Sequence, residues 1–154
     1  MCGFVGYIGP ELPSIELLRN ASNSIRHRGP DGQGFYTHQL AEQSIALVHR
    51  RLAIIDLDSR SDQPFRIGNY ILVYNGEIYN YIEIRQELKN LGYSFKTDGD
   101  TEVLAIALKH WGTNALNKLE GMWSFAWYNE QNGELTLCRD RFGEKPLYYW
   151  RFDN

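Results

Sequence analysis

Residues 1–10 read MCGFVGYIGP. Phe4, Val5, Tyr7 and Ile8, with Gly3, Gly6 and Gly9 between them, predict a short apolar strand packed closely against other backbone. A cysteine directly after the initiator methionine therefore stands at a chain end on the edge of a core. No charged region followed by an apolar signal segment occurs here, and no run approaches the roughly 20 apolar residues a membrane span needs. The expected location is the cytoplasm, with no membrane partner. The 154 residues suit one domain, 1–154, with a core of its own. The net charge of −3, with both signs interspersed, offers no basic stripe for nucleic acid. A reducing compartment makes Cys2 and Cys138 separate thiols, and Cys138, in ELTLCRD, reads as an ordinary strand position. His27, His38, His49 and His110 show no metal-ligand spacing, so no metal is expected.

Outward from that first strand, Ile15, Leu18, Ser22 and Ile25 share one face of a helix over 14–26 that Ser14 is placed to cap. HRGPDGQG is a loop, and FYTH, SIALVHR and LAIID read as strands. YILVYNGEIYN reads as a strand, an Asn-Gly turn and a second short strand, after which Asn80 and Glu83 resemble a capping box for YIEIRQELKNL. Gly92 ends that helix. A strand YSFKT leads to a second core helix in DGDTEVLAIALKHWG, where Leu104, Leu108 and Trp111 share a face and Gly112 is the stop. MWSFAWYN and ELTLCRD form two strands about a Gln-Asn-Gly turn, and PLYYWRF reads as one more. Strands and helices come in blocks, which predicts an α+β domain of antiparallel sheets with helices packed outside.

The chemistry-bearing residues each have an ordinary reading as well. If Met1 is removed, Cys2 carries its own free amine, a base beside a nucleophile on one residue. Taken singly, residue two could equally be arbitrary. Asn75 and Gly76 suffice as a hairpin turn, or could offer two donors to a developing oxyanion. Arg50 and Arg51 could be a surface pair, or a half-buried cation awaiting a carboxylate. Asp100 could be a helix N-cap, and Glu102 a first-turn charge complementing the helix dipole.

Taken together, the ordered segments MCGFVGYIG, RHRGPDGQGFY, HRRLAIIDL, QPF, VYNGEIYNY, DGDTEVL, LEGMWSFAWYN and RDRFGEKPLYY resemble the glutaminase domain of glutamine-hydrolysing asparagine synthetases. These are class II glutamine amidotransferases of the N-terminal nucleophile hydrolase type. The resemblance implies a four-layer αββα sandwich and hydrolysis of L-glutamine by Cys2 through a γ-glutamyl thioester. It further implies that Asn75 and Gly76 form the oxyanion hole. Arg51 would hold the substrate α-carboxylate beside the backbone of Leu52, Ala53, Ile54 and Ile55, while Glu77 and Asp100 would meet the α-amino group.

The ammonia would pass to a synthetase domain or partner chain, the part for which ATP and Mg are expected. No Ser-Gly-Gly pyrophosphate loop occurs in these residues, so no cofactor is expected in them. The sequence stops before a segment resembling FASE that follows in family members, which suggests a fragment or a short protein whose last sheet lacks a strand. A glutamine-binding scaffold without turnover is the alternative reading, favoured if Met1 is retained.

Overall fold

The computed structural model describes residues 2–54 and 56–152. Strand β1 (Gly3–Gly9) is followed by helix α1 (Ile15–Ser24) and strands β2 (Gly32–Leu40) and β3 (Gln43–Arg51). The second half holds β4 (Phe65–Ile67), β5 (Tyr70–Ile78), helices α2 (Tyr81–Asn90) and α3 (Asp100–Trp111), and strands β6 (Gly121–Asn129) and β7 (Leu135–Arg139). Two antiparallel sheets result, ordered β1-β3-β2 and β4-β5-β6-β7.

Side-chain alternation along the central strands builds the layers. Ile45 and Leu47 of β3 meet Ile71 and Val73 of β5 and Ala126 of β6 between the sheets. Ala46 and Val48, on the opposite face of β3, pack with Leu18 of α1 and Val5 of β1. Leu72 and Tyr74 of β5 and Phe125 of β6 turn instead toward Ile84 and Leu88 of α2 and Leu104 and Leu108 of α3. The order is therefore α1, sheet, sheet, α2 with α3, the expected αββα sandwich. Because both faces of β3 and β5 are covered, IALV and ILVY are unbroken apolar runs rather than alternating ones.

Ser14 caps α1 as expected, accepting from the Leu17 N–H at 3.2 Å. Gly112, at φ 59°, ends α3 in a conformation that favours glycine. Five sequence-based assignments are corrected. YNGEIYN is no hairpin: Asn75 and Gly76 lie inside β5, paired with Ser124 and Trp123 of β6. A Cβ on Gly76 would lie 2.3 Å from the Met122 carbonyl oxygen and 2.7 Å from the Trp123 Cα, so close strand packing, not a turn, demands the glycine.

Over 52–54, β3 has ended and the chain leaves the sheet. The segment 93–97 is irregular because side chains take its backbone groups: Glu102 accepts from the N–H groups of Lys96 and Thr97, and Arg85 donates to the Thr97 carbonyl. Residues 146–152 form no strand, and Tyr148, Tyr149, Trp150 and Phe152 are exposed. Asn80 occupies the N-cap position of α2 without capping it. Its side chain bridges instead to the Lys118 carbonyl and the Glu120 N–H, tying the start of α2 to the approach to β6.

Candidate active site

At the end of the sandwich where β1 begins and β3 ends, a cavity of about 250 Å³ opens between the sheets. Cys2, Arg51, Leu52, Ile54, Asn75, Gly76, Glu77 and Asp100 all line it, which brings together residues up to 98 positions apart in the chain. Ala53 does not line it, its N–H being donated to Asp31 Oδ2 at 2.9 Å. Ile55 lies outside the described residues. Ser61, Gln63, Tyr74, Gly99, Thr101, Met122 and Lys145 complete the wall, and none of these was singled out from the sequence.

Cys2 precedes β1, the edge strand of its sheet, so its thiol reaches the cavity without being enclosed by a neighbouring strand. The Leu52 N–H donates to Sγ at 3.3 Å, and Sγ–H faces the Leu52 carbonyl at 3.7 Å. Burial raises the thiol's pKa above its ordinary value, while the Leu52 N–H and the Arg51 charge pull the other way. The resting group is thus a thiol that needs a base. While Met1 is attached the Cys2 nitrogen is an amide without a basic lone pair, whereas a chain starting at Cys2 carries an amine that can serve. The Arg28 Nε–H donates to the Cys2 carbonyl at 3.3 Å and fixes this chain end from the side of α1.

The free edge of β5 supplies the opposing wall. Short β4 pairs only with Tyr70–Leu72, so beyond it the β5 backbone groups that point away from β6 need other partners. The Tyr74 N–H donates to Gln63 Oε1 at 2.6 Å, and the Ile78 N–H donates to Asp100 Oδ2 at 3.0 Å. In an antiparallel ladder the N–H groups of alternate residues point the same way. The Gly76 N–H therefore points off this same edge, between two donors already taken, at the cavity wall. Asn75 alternates to the inter-sheet side, is buried, and its carboxamide makes no hydrogen bond among the described residues. An unpaired amide donor and a backbone N–H thus adjoin one cavity with the thiol, the arrangement a tetrahedral oxyanion needs.

Asp100 is the first residue of α3 and not its cap, a position Gly99 holds. Its buried Oδ2 accepts from the Tyr74 hydroxyl at 2.8 Å as well as from Ile78. Burial raises the Asp100 pKa, and these two donors oppose the shift. Glu102, whose first-turn position suits a simple dipole charge, is instead a buried acceptor clamping 96–97. Glu77 is exposed at the cavity rim. Arg51 is buried beside the cavity with its guanidinium engaged by Asp62 Oδ1 at 2.6 Å, the Asp58 carbonyl at 2.9 Å and the Asp56 carbonyl. Among the described residues these use three of its five N–H donors, leaving Nε–H and one Nη2–H for a ligand carboxylate.

His49 supports the same strand from the other sheet: Nε2–H donates to the Tyr74 carbonyl at 3.2 Å. Burial first, and the Arg51 charge after it, lower its pKa to about 4, so the ring is neutral with its proton on Nε2. Among the described residues no group of His, Cys, Asp and Glu is arranged to hold a metal ion, and no helix is long and apolar enough to cross a membrane.

The chain is similar to asparagine synthetase [glutamine-hydrolyzing] 1 of Bacillus subtilis, 41% identical over 156 residues that cover 97% of this chain and 24% of that protein. A putative asparagine synthetase [glutamine-hydrolyzing] 2 of Methanocaldococcus jannaschii is 35% identical, covering 97% of this chain and 32% of that protein. The chain thus spans about a quarter of the length of the first of these relatives. Among solved structures, the glutamine phosphoribosylpyrophosphate amidotransferase of B. subtilis shares the fold, with a TM-score of 0.71 at 23% identity, over 91% of this chain and 37% of that one. The family described as the glutamine amidotransferase domain matches residues 1–154 in full, and the chain belongs to that family.

Proposed function

We propose that residues 1–154, once Met1 is removed, hydrolyse L-glutamine to L-glutamate and ammonia. Cys2 Sγ attacks the side-chain amide carbon while the Cys2 amine takes the thiol proton. The oxyanion that forms is met by the Asn75 carboxamide and the Gly76 N–H. Collapse breaks the C–N bond, and the amine returns the proton to the departing nitrogen, which leaves as ammonia. Water then attacks the γ-glutamyl thioester, releasing glutamate and restoring the thiol. Arg51 takes the substrate carboxylate, with Leu52 and Ile54 beside it, and Asp100 with Glu77 takes the ammonium.

The observation that carries this reading is the convergence of Cys2, Asn75 and Gly76 on one cavity whose remaining charges suit the two ends of an amino acid. The ammonia is consumed by a synthetase domain or partner chain in asparagine formation or a related amide transfer, a step for which the named relatives provide the support. ATP and Mg belong to that step and enter none of the chemistry above. The reading is tested by mixing the processed protein with glutamine alone. Equal release of glutamate and ammonia, lost in Cys2→Ala, is expected, whereas equal turnover in Cys2→Ala would refute it.

A further inference from the structure

Tyr74 stands out because three parts of one residue are each held by a different segment. Its N–H goes to Gln63 of the 62–64 segment, its carbonyl to His49 of β3, and its hydroxyl to Asp100 of α3. Its ring also explains the residue two places on. A Cβ at position 76 would lie 2.7 Å from Tyr74 Cε2, so the ring occupies the slot that the missing side chain of Gly76 leaves. The phenol is fully buried. Burial foremost, then the neighbouring Asp100 charge, raises its pKa well above the ordinary value and favours the protonated, donating form.

We propose that Tyr74 is a positioning residue for substrate recognition, its hydroxyl fixing the Asp100 carboxylate in the orientation and charge state that receive the substrate ammonium. The assignment rests on the glutaminase reading above. The geometry favours it over simple packing. Packing requires only the ring, which phenylalanine would supply, whereas the hydroxyl, 2.8 Å from Oδ2, has no other partner among the described residues. Without it, Asp100 keeps the Ile78 N–H as its cross-element donor while facing other charges. Glu77 from β5 disfavours its ionisation, its own charge in turn raises the pKa of the Cys2 thiol before β1, and Arg51 at the end of β3 and Lys145 share the cavity wall. A carboxylate that loses a donor in such a place becomes harder to ionise and freer to rotate.

Tyr74→Phe tests this because it keeps the ring against Gly76 and removes one oxygen. In the processed protein, the acid limb of kcat/KM for L-glutamine should move up by about one pH unit, an effect of about tenfold at the low-pH end. KM should rise severalfold while kcat stays within about twofold, and Tm should change little. The same substitution made in Asp100→Asn should add nothing, since there is no longer a carboxylate to position. An unmoved limb, or a loss equal at every pH and in both backgrounds, would overturn the assignment. Wild-type protein that releases no ammonia from glutamine would instead overturn the glutaminase reading itself, so the two failures are distinguishable.

Discussion

Asp100→Asn separates recognition from architecture at a residue that the sequence alone allows as a helix cap. Asparagine has the same shape, and its Oδ1 can accept from both the Tyr74 hydroxyl and the Ile78 N–H, now at 2.8 and 3.0 Å. The fold loses no bond. What disappears is the charge that meets the substrate ammonium, a charge-assisted hydrogen bond worth roughly 1.5–3 kcal/mol, or about 10- to 150-fold in kcat/KM. Stability should move the other way. Burial raises the folded-state pKa of this carboxyl above its ordinary 3.8, which favours the neutral form. Its contribution to stability is complete below the unfolded-chain pKa and is lost as pH rises through the folded value. At neutral pH the ionised group is therefore a burden that the amide removes, so Tm should stay level or rise while kcat/KM falls. Glutamine kinetics and thermal melts on the same preparations decide the matter. Unchanged kcat/KM, or activity and Tm falling together, would refute the reasoning.

Four further outcomes follow from the geometry. Arg51→Lys keeps a cation but loses the fork that meets Asp62 and the carbonyls of Asp56 and Asp58, so KM for glutamine should rise at least about tenfold, and limited proteolysis should cut faster within 56–62. Gly76→Ala forces a methyl against the Met122 carbonyl and should lower stability by about 1–3 kcal/mol in denaturant titrations, with loss of turnover. A diazoketone analogue of glutamine should label Cys2 and spare Cys138, which stands in β7 away from the cavity, as peptide mass mapping would show. His49 has a folded-state pKa near 4 against an ordinary 6.5, so the stability it contributes is present above 6.5 and lost as pH falls toward 4. Melts across that window should show the decline, and His49→Gln should flatten it.

How much of this was legible in the sequence depended on whether a residue's partner was local. The strand at 3–9, the Ser14 cap, the face of α3 and its Gly112 stop were readable because neighbours within a turn or a pleat determine them. The Asn75-Gly76 pair misled because a hairpin and a tightly packed strand both want glycine, and only the placement of Met122 and Trp123 across the ladder distinguishes them. Asp100 and Glu102 misled in the same way, as two first-turn acids whose partners, Tyr74 and Thr97, come from outside the helix. Gln63 and Tyr74 carried no distinguishing local pattern. Their roles exist because β4 is too short to cover β5, leaving backbone groups that side chains must satisfy.

The central claim is that Cys2, freed of Met1, forms a covalent γ-glutamyl intermediate at this cavity. Processed protein mixed with glutamine, quenched in acid within a turnover and digested, should yield an N-terminal peptide beginning at Cys2 that carries a γ-glutamyl group, absent from Cys2→Ala and never found on Cys138. Glutamine turnover by protein that keeps Met1, or with no adduct on Cys2, would contradict the account.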